Sequence, residues 1–261
     1  MRTPVGLKRI PLAQKVYRHA RGAWNILRGS LKFASDLAAY RRDSRRSPFA
    51  FAWRELYPCL GDDTAATGFD RHYTFHTAWA ARLLAQTRPA VHHDISSAVY
   101  FSTLVSAFIP VRFYDYRPAR LPLSNLTSDF ADLLALPFPS GSLESLSCMH
   151  VVEHVGLGRY GDPVDPEGAF KAIAELKRVV RPRGNLFFVV PVGGTARVQF
   201  NAHRIFSLPI IQEAFGDSFT LRQFALIPDD PEDGDLVISP SNELLTKQIY
   251  GCGCFWFEKR A

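Results

Sequence analysis

The chain has 261 residues, of which 47% are hydrophobic and 21% are charged. This length suffices for one α/β domain with a sizeable core plus an appendage, and the ordinary composition argues against general disorder. No segment reaches the roughly 18 apolar residues that a membrane span needs, and the N-terminus lacks the apolar region of a secretory signal.

The net charge of +6 is unevenly distributed. Residues 1–46 carry twelve Lys and Arg against Asp36 and Asp43, a net charge of +10, which leaves −4 for the remainder. From Leu12 to Tyr40, apolar residues recur at helical spacing with basic residues on the other faces, and Arg41 to Pro48 is typical of a linker. We therefore predict a basic helical leader and linker at 1–47 and an α/β domain at 48–261.

A basic amphipathic helix can lie on an anionic membrane surface. Residues 8–46 are therefore a candidate contact for such a membrane or for a protein partner. The alternative is a helix that packs on its own domain or on a second copy, with its charges merely solvated. Nucleic acid ranks lower, because the rest of the chain lacks a basic groove with interleaved aromatic residues.

Four cysteines make neither a disulfide framework nor a metal-binding pattern. Cys252 and Cys254 lack the two-residue spacing of a zinc knuckle, and they alternate with Phe255 and Phe257 as in a strand. We predict packing cysteines, no metal site, and a reduced cytoplasmic protein, with peripheral attachment to the inner membrane face as an option.

The first half of the domain has the order helix, strand, helix, strand. We predict a helix at 74–86, a strand at 90–95, a turn at Asp94 to Ser97 with a helix at 98–108, and a strand at 111–114 that ends at Asp115. Asp115 lies 21 positions beyond Asp94, the spacing at which a carboxylate binds the ribose hydroxyls of a nucleoside cofactor. The spacing alone is compatible both with methyltransferases and with nicotinamide-dependent enzymes.

The stretch from Leu133 to Pro191 has the pattern of strand, loop, helix and strand. We predict a buried strand at 145–151, a helix that starts at Asp165-Pro166 and ends at Arg181 to Gly184, and a second strand at 185–190. Ligands of open parallel sheets lie at the carboxyl ends of strands. Glu153, His154 and the loop that follows them are therefore expected in the active crevice.

This stretch resembles the second half of class I S-adenosylmethionine-dependent methyltransferases (type-11-like). The matching segments, in order, are Asp132, Leu136-Pro137-Phe138, Gly141 to Glu144, Glu153-His154, Glu175 to Gly184 and Pro191. The strings HVVEHVGLGRYGDPVDPEG, FNAHRIFS and CGCFWFEK look like an uncharacterised bacterial branch of that superfamily, often associated with surface-polysaccharide synthesis. The resemblance covers about residues 69–258.

The resemblance implies a Rossmann-like α/β fold, a mostly parallel sheet with an antiparallel last strand, and S-adenosylmethionine as cofactor. The residues that it implies for cofactor binding are Asp94, Ser96, Ser97, Asp115, Asp132 and His150, with Asp129 as a nearby rival of Asp132. The sequence departs from the family where glycines are usual, since Ser96 and Ala98 occupy those positions. Serine is small and its amide can still donate, so cofactor binding there remains compatible with the sequence.

The C-terminal part is predicted to hold a turn at Gly193-Gly194, a helix at 208–215 and two closing antiparallel strands at 219–227 and 249–258. The candidate catalytic residues are Glu153, His154 and His203, and the candidate substrate contacts are Asp162, Asn201 and Arg204. The function predicted is methyl transfer to a small molecule or glycan precursor in surface-polysaccharide biosynthesis. The alternative is a catalytically silent protein of the same fold that binds partners in a polysaccharide-assembly complex.

Overall fold

The computed structural model describes residues 12–43 and 48–261. The chain forms two compact units, one up to Gly68 and one from Phe69 to Ala261. The sequence predicts a boundary after residue 47, and that boundary stays a prediction.

The described part of the first unit is dominated by α1, a 32-residue helix at Leu12–Asp43. The predicted helix is confirmed, but it extends through Asp43, so the predicted break at Arg41 is wrong; residues 44–47 of the predicted linker lie outside the described residues. Trp24, Leu27 and Leu31 on α1 are exposed. Among the described helices, none has the length and hydropathy required to cross a membrane.

The second unit is built on one large sheet with helices on both faces. Its helices are α2 at Arg71–Thr87, α3 at Val99–Val105, α4 at Gly168–Val179, α5 at Leu208–Phe215 and α6 at Asn242–Lys247. Its main strands are β1 at His92–Ser96, β2 at Val111–Asp115, β3 at Leu126–Phe130, β4 at Leu143–Met149, β5 at Val180–Val192, β8 at Phe219–Ile227, β9 at Val237–Ile238 and β10 at Gly251–Lys259. A separate hairpin consists of β6 at Arg197–Gln199 and β7 at His203–Ile205.

The strand order is β3-β2-β1-β4-β5-β10-β8-β9. The pairs from β3 to β5 are all parallel, and β10 is antiparallel to both of its neighbours. The predicted α/β fold, with a mostly parallel sheet and antiparallel closing strands, is confirmed. This order brings the ends of β1, β2 and β4 to one edge of the sheet.

The sheet is buried on both faces, which explains why its central strands are almost continuously apolar. Along β5, Phe188 and Val190 pack in one cluster with α4 and α5, while Phe187 and Val189 pack in the other with α2 and α3. Trp79 of α2 lies in the second cluster.

Several boundaries differ from the prediction for local physical reasons. The predicted start of α4 at Asp165-Pro166 is wrong: Asp165 accepts a hydrogen bond from the Glu167 amide at 2.9 Å, and the helix begins at Gly168. Residues 181–184, which were predicted to end α4, belong to β5 instead. This strand begins at Val180, and residues 181–184 form an irregularity in its pairing with β4. Of the helix predicted at 98–108, only the residues of α3, Val99–Val105, are helical. Strands β3, β6, β7 and β9 and helix α6 were not predicted.

The Glu175-to-Arg178 part of the sequence motif anchors the loop that follows β3. Arg178 donates to the carbonyls of Phe138 and Leu136 at 2.7 and 2.9 Å and to the Glu175 carboxylate at 2.7 and 2.8 Å. The same carboxylate accepts from the Leu136 amide at 2.8 Å. The spacing of the motif therefore reflects a charged clamp on the segment that carries Asp132.

Replacement of Arg178 by alanine is expected to lower the free energy of unfolding by more than the loss of an exposed ion pair would, since two backbone carbonyls and a carboxylate lose a charged donor. Arg178→Lys should recover little, because lysine lacks the planar fork. Arg181→Ala is the matched control: its ion pair with Glu144 is exposed, and such pairs contribute at most about 1 kcal/mol. Urea unfolding measures all three, and equal losses in the two alanine variants would contradict the clamp.

Candidate active site

A cavity of about 400 Å³ opens at the carboxyl edge of β1, β2 and β4. This is within the usual range of small-molecule sites, about 300–1,000 Å³. Predicted cofactor residues that line it are Ser96, Ser97, Asp115, Asp132 and His150, together with the predicted catalytic His154 and the predicted substrate contact Asp162. The topology thus brings most of the predicted site together.

Two half-buried carboxylates lie on one side of the cavity. Asp115 ends β2, and its Oδ1 accepts from the Arg117 amide at 2.7 Å. Asp132 follows β3, and its Oδ1 accepts from the Leu134 amide at 2.9 Å. Asp129, the rival of Asp132, is exposed on β3 and does not line the cavity.

The turn after β1 is held by the hydroxyls of Ser96 and Ser97. Ser96 is buried, and its Oγ accepts from the Ala98 amide at 3.4 Å. The Ser97 Oγ lies 2.9 Å from the Tyr73 hydroxyl and 3.3 Å from the Met149 carbonyl. Tyr73 of α2 therefore covers this turn and forms one wall of the cavity.

Asp94 does not line the cavity. It is fully buried, and its carboxylate accepts from the hydroxyls of Ser102 and Ser147. The Ser147 Oγ also lies 2.9 Å from Nε2 of His92, which extends the network. Burial, opposed by these hydroxyls, raises the pKa of Asp94 to about 7. Its predicted contact with a cofactor stays a prediction, while the structure gives it a place in a buried polar network.

His150, Glu153 and His154 form a connected group after β4. The His150 Nδ1 lies 2.8 Å from Glu153 Oε1, and the same oxygen lies 3.9 Å from His154 Nε2. Glu153 itself is buried beneath the cavity wall. The His154 Nδ1 donates to the Ala202 carbonyl at 2.7 Å, so the neutral imidazole carries its lone pair on Nε2.

The loop from Gly156 to Asp162 closes another side of the cavity. Asp162 Oδ2 accepts from the Gly156 amide at 2.7 Å and Oδ1 accepts from the Tyr160 amide at 3.2 Å. Gly156 has φ +78°, and an added Cβ would lie 2.2 Å from the Asp165 carbonyl oxygen, so only glycine fits there. The Arg117 guanidinium lies 4.7 Å from the centre of the Tyr160 ring, which links this loop to the end of β2.

Besides Asp94 and Glu153, three further predicted site residues lie outside the cavity lining. Arg204 is buried and donates to the carbonyls of Val155, Asp165 and Pro166, so it holds the loop in place. The His203 ring packs against the Tyr250 ring, with 4.8 Å between the ring centres. Burial lowers the pKa of His203. Asn201 is exposed. Their predicted roles in catalysis or substrate binding stay predictions, and for Arg204 the structure indicates a structural role.

Sequence reasoning did not single out Arg117 or Tyr160, and it assigned Cys252 to packing alone. Arg117 and Tyr160 stand in irregular segments without periodicity. Cys252 comes next to His150 only because β10 inserts beside β5, with 3.4 Å between the cysteine sulfur and His150 Nε2.

The comparison with family models finds one match, to a family described as "Caenorhabditis protein of unknown function, DUF268", over residues 137–215. This is well under half of the chain. None of the curated proteins compared matches the sequence.

Several solved structures are similar over about 70% of this chain or more. A 1,6-didemethyltoxoflavin-N1-methyltransferase from Burkholderia thailandensis, with its substrate and S-adenosylhomocysteine bound, has 14% identity and a TM-score of 0.51, and the match covers 100% of this chain and 94% of that one. A geranyl diphosphate methyltransferase in complex with S-adenosylmethionine has 12% identity and a TM-score of 0.51, with 72% and 87% covered. The MccD protein has 11% identity and a TM-score of 0.51, with 71% and 96% covered. The chain therefore has the Rossmann-like fold of class I methyltransferases.

Proposed function

We propose that this protein is an S-adenosylmethionine-dependent methyltransferase acting on a small molecule or glycan precursor. The observation that carries the proposal is the cavity at the carboxyl edge of the sheet, which joins two half-buried carboxylates to a histidine with a free acceptor nitrogen.

The residues present fit the cofactor. Asp115 would accept from ribose hydroxyls, and Asp132 would accept from the adenine amino group. Ser96 and Ser97 would flank the methionine part, with Tyr73 beside it. When bound, S-adenosylmethionine supplies an electrophilic methyl group on a sulfonium.

The acceptor side is built around His154. With Nδ1 donating to Ala202, its Nε2 can take the proton of an acceptor hydroxyl or amine as that atom attacks the methyl carbon. The cofactor would supply the methyl group and keep the electron pair of the C–S bond on its sulfur, and His154 would hold the proton of the acceptor. Glu153, at 3.9 Å from Nε2, would stabilise the imidazolium that forms. Alignment of acceptor and methyl group supplies up to about 7–11 kcal/mol in well-oriented systems.

The class of acceptor follows from the sequence resemblance, which directs the search to precursors of surface polysaccharides. The test is formation of S-adenosylhomocysteine in mixtures of the full chain, the cofactor and candidate nucleotide sugars or lipid-free glycans. Turnover that falls at least about 100-fold in His154→Asn would support the proposal, since general bases contribute about 10²–10⁴-fold. Cofactor binding without turnover on any acceptor would favour the silent, partner-binding alternative.

We further propose that α1 contacts an anionic membrane surface. Trp24, Leu27 and Leu31 share one face of the helix and are 65%, 52% and 67% exposed, with Arg28 on the flank of that face. Exposed apolar side chains beside basic ones favour the interface of an anionic bilayer. Residues 8–11 and 44–46 of the predicted contact lie outside the described residues.

Sedimentation with vesicles tests this contact. We expect the chain to sediment with phosphatidylserine-containing vesicles at low salt, and to stay in solution with neutral phosphatidylcholine vesicles, because the basic flank contributes about 1 kcal/mol per charge near the surface. Leu31→Glu should weaken the binding. Leu104→Glu, at a leucine of α3 with 70% exposure, is the matched control and should not. Equal effects of both variants would contradict the contact.

A further inference from the structure

Three potential metal ligands from distant parts of the sequence converge beside the cavity. They are His72 in the first turn of α2, His150 after β4 and Cys252 on β10, and their ligand atoms all lie within 4.8 Å of one another. His150 and Cys252 are buried and His72 is half-buried. Spacing along the chain does not reveal this group, because each ligand comes from a different element.

The closest pair already has the geometry of two ligands on one ion. The Cys252 Sγ and the His150 Nε2 are 3.4 Å apart. Zinc bonds of about 2.3 Å to sulfur and about 2.0–2.1 Å to nitrogen, at a tetrahedral angle, place two such atoms about 3.6 Å apart. A shift of the half-buried His72 ring would complete a set of three.

Glu153 orients His150 for coordination. The His150 Nδ1–H donates to Glu153 Oε1 at 2.8 Å, which leaves the lone pair of Nε2 facing the cysteine. A carboxylate behind a ligating histidine recurs in metal sites, where it fixes the tautomer and raises the basicity of the ligand.

Unpartnered polar atoms around the same group point independently to a ligand. His76 is fully buried, and its ring centre lies 5.0 Å from that of His150. Within the described part of the chain, His76 Nε2 and Glu153 Oε2 are buried without a hydrogen-bond partner. Buried polar atoms of this kind usually satisfy a water or an ion.

We propose that His72, His150 and Cys252 form a binding site for a divalent transition-metal ion, with zinc as the preferred ion. Two imidazoles and one thiolate suit zinc, and three protein ligands leave one tetrahedral position open, as in catalytic zinc sites. Binding replaces the thiol proton of Cys252, which leaves to solvent. The open position would hold a water or the heteroatom of the methyl acceptor; this role rests on the proposed function, while the site itself does not.

Cobalt(II) titration of the reduced, chelator-treated full chain tests the site. We expect saturation at one equivalent, a thiolate-to-cobalt charge-transfer band, and displacement of cobalt by zinc. Cys252→Ser should lose the band. His72→Asn, at a half-buried position in the first turn of α2, should keep the fold and bind cobalt more weakly. Glu153→Gln should weaken binding by about 10- to 100-fold, as losses of such orienting carboxylates do.

Cys254→Ser is the matched control, because Cys254 is equally buried on the same strand with its sulfur 4.0 Å from that of Cys252. It should keep the cobalt band. The site is overturned if the wild-type chain shows no saturable binding, if the band persists in Cys252→Ser, or if Cys254→Ser abolishes it. A chain that binds cobalt as expected but not S-adenosylmethionine would retain the metal site and lose only the proposed function.

Discussion

Replacement of Asp115 by alanine is expected to weaken S-adenosylmethionine binding by about 100-fold. The carboxylate is half-buried at the end of β2 and lines the cavity. Hydrogen bonds to a charged group contribute about 1.5–3 kcal/mol each, and two ribose hydroxyls on one carboxylate thus account for about 3 kcal/mol or more, a factor of at least about 100 in affinity. Asp115→Asn keeps one acceptor oxygen and should lose less.

Isothermal titration calorimetry of the variants measures this effect. Asp129→Ala is the matched control, since Asp129 is an exposed aspartate on the neighbouring strand that does not line the cavity. Its affinity for the cofactor should equal that of the wild type. Unchanged affinity in a folded Asp115→Ala protein would contradict the assignment of the ribose site to β2.

The second large effect concerns Asp94 and the pH dependence of stability. Burial raises the pKa of this carboxyl from 3.8 to about 7, so folding favours its protonated form. The stability that this group contributes is complete below pH 3.8 and is lost as the pH rises through about 7. Between those limits the wild type should lose about 4 kcal/mol relative to Asp94→Asn, which stays neutral at every pH.

Urea unfolding at a series of pH values, from about 4 to 8 to cover the titration, separates this group from others. Burial also lowers the pKa of His92 to about 3, an effect of opposite sign that is common to both proteins and therefore cancels in the difference. Asp129→Asn, at an exposed position, should run parallel to the wild type. Parallel curves for Asp94→Asn as well would show that the carboxyl titrates normally in the folded state.

Those parts of the fold with strong periodicity could be predicted from the sequence. Helix α5 and strand β8 have the predicted bounds because their apolar residues recur regularly between clear turn signals. The start of α4 was wrong because Asp165-Pro166 has the composition of a helix start, yet its backbone is used to close the loop on Gly156. Short elements such as β9 and α6 carry too few residues for a periodic signal.

The candidate site likewise contains some residues whose place could be predicted from the sequence and others whose place could not. Asp115 and Asp132 follow strands at motif spacing, so their place in the cavity could be predicted. Arg204 could not be assigned, because a buried arginine that holds carbonyls and an arginine that binds substrate have the same local sequence. The convergence of His72, His150 and Cys252 depends on the insertion of β10 beside β5, which no local pattern specifies.

The central claim is that the cavity at the ends of β1, β2 and β4 binds S-adenosylmethionine although Ser96 and Ala98 occupy the turn positions where glycines are usual. Calorimetric titration of the purified wild-type chain with S-adenosylmethionine tests it most directly. We expect one saturable site with micromolar affinity, for which S-adenosylhomocysteine competes. Absence of binding at millimolar cofactor would contradict the claim and would leave a methyltransferase fold used for binding partners.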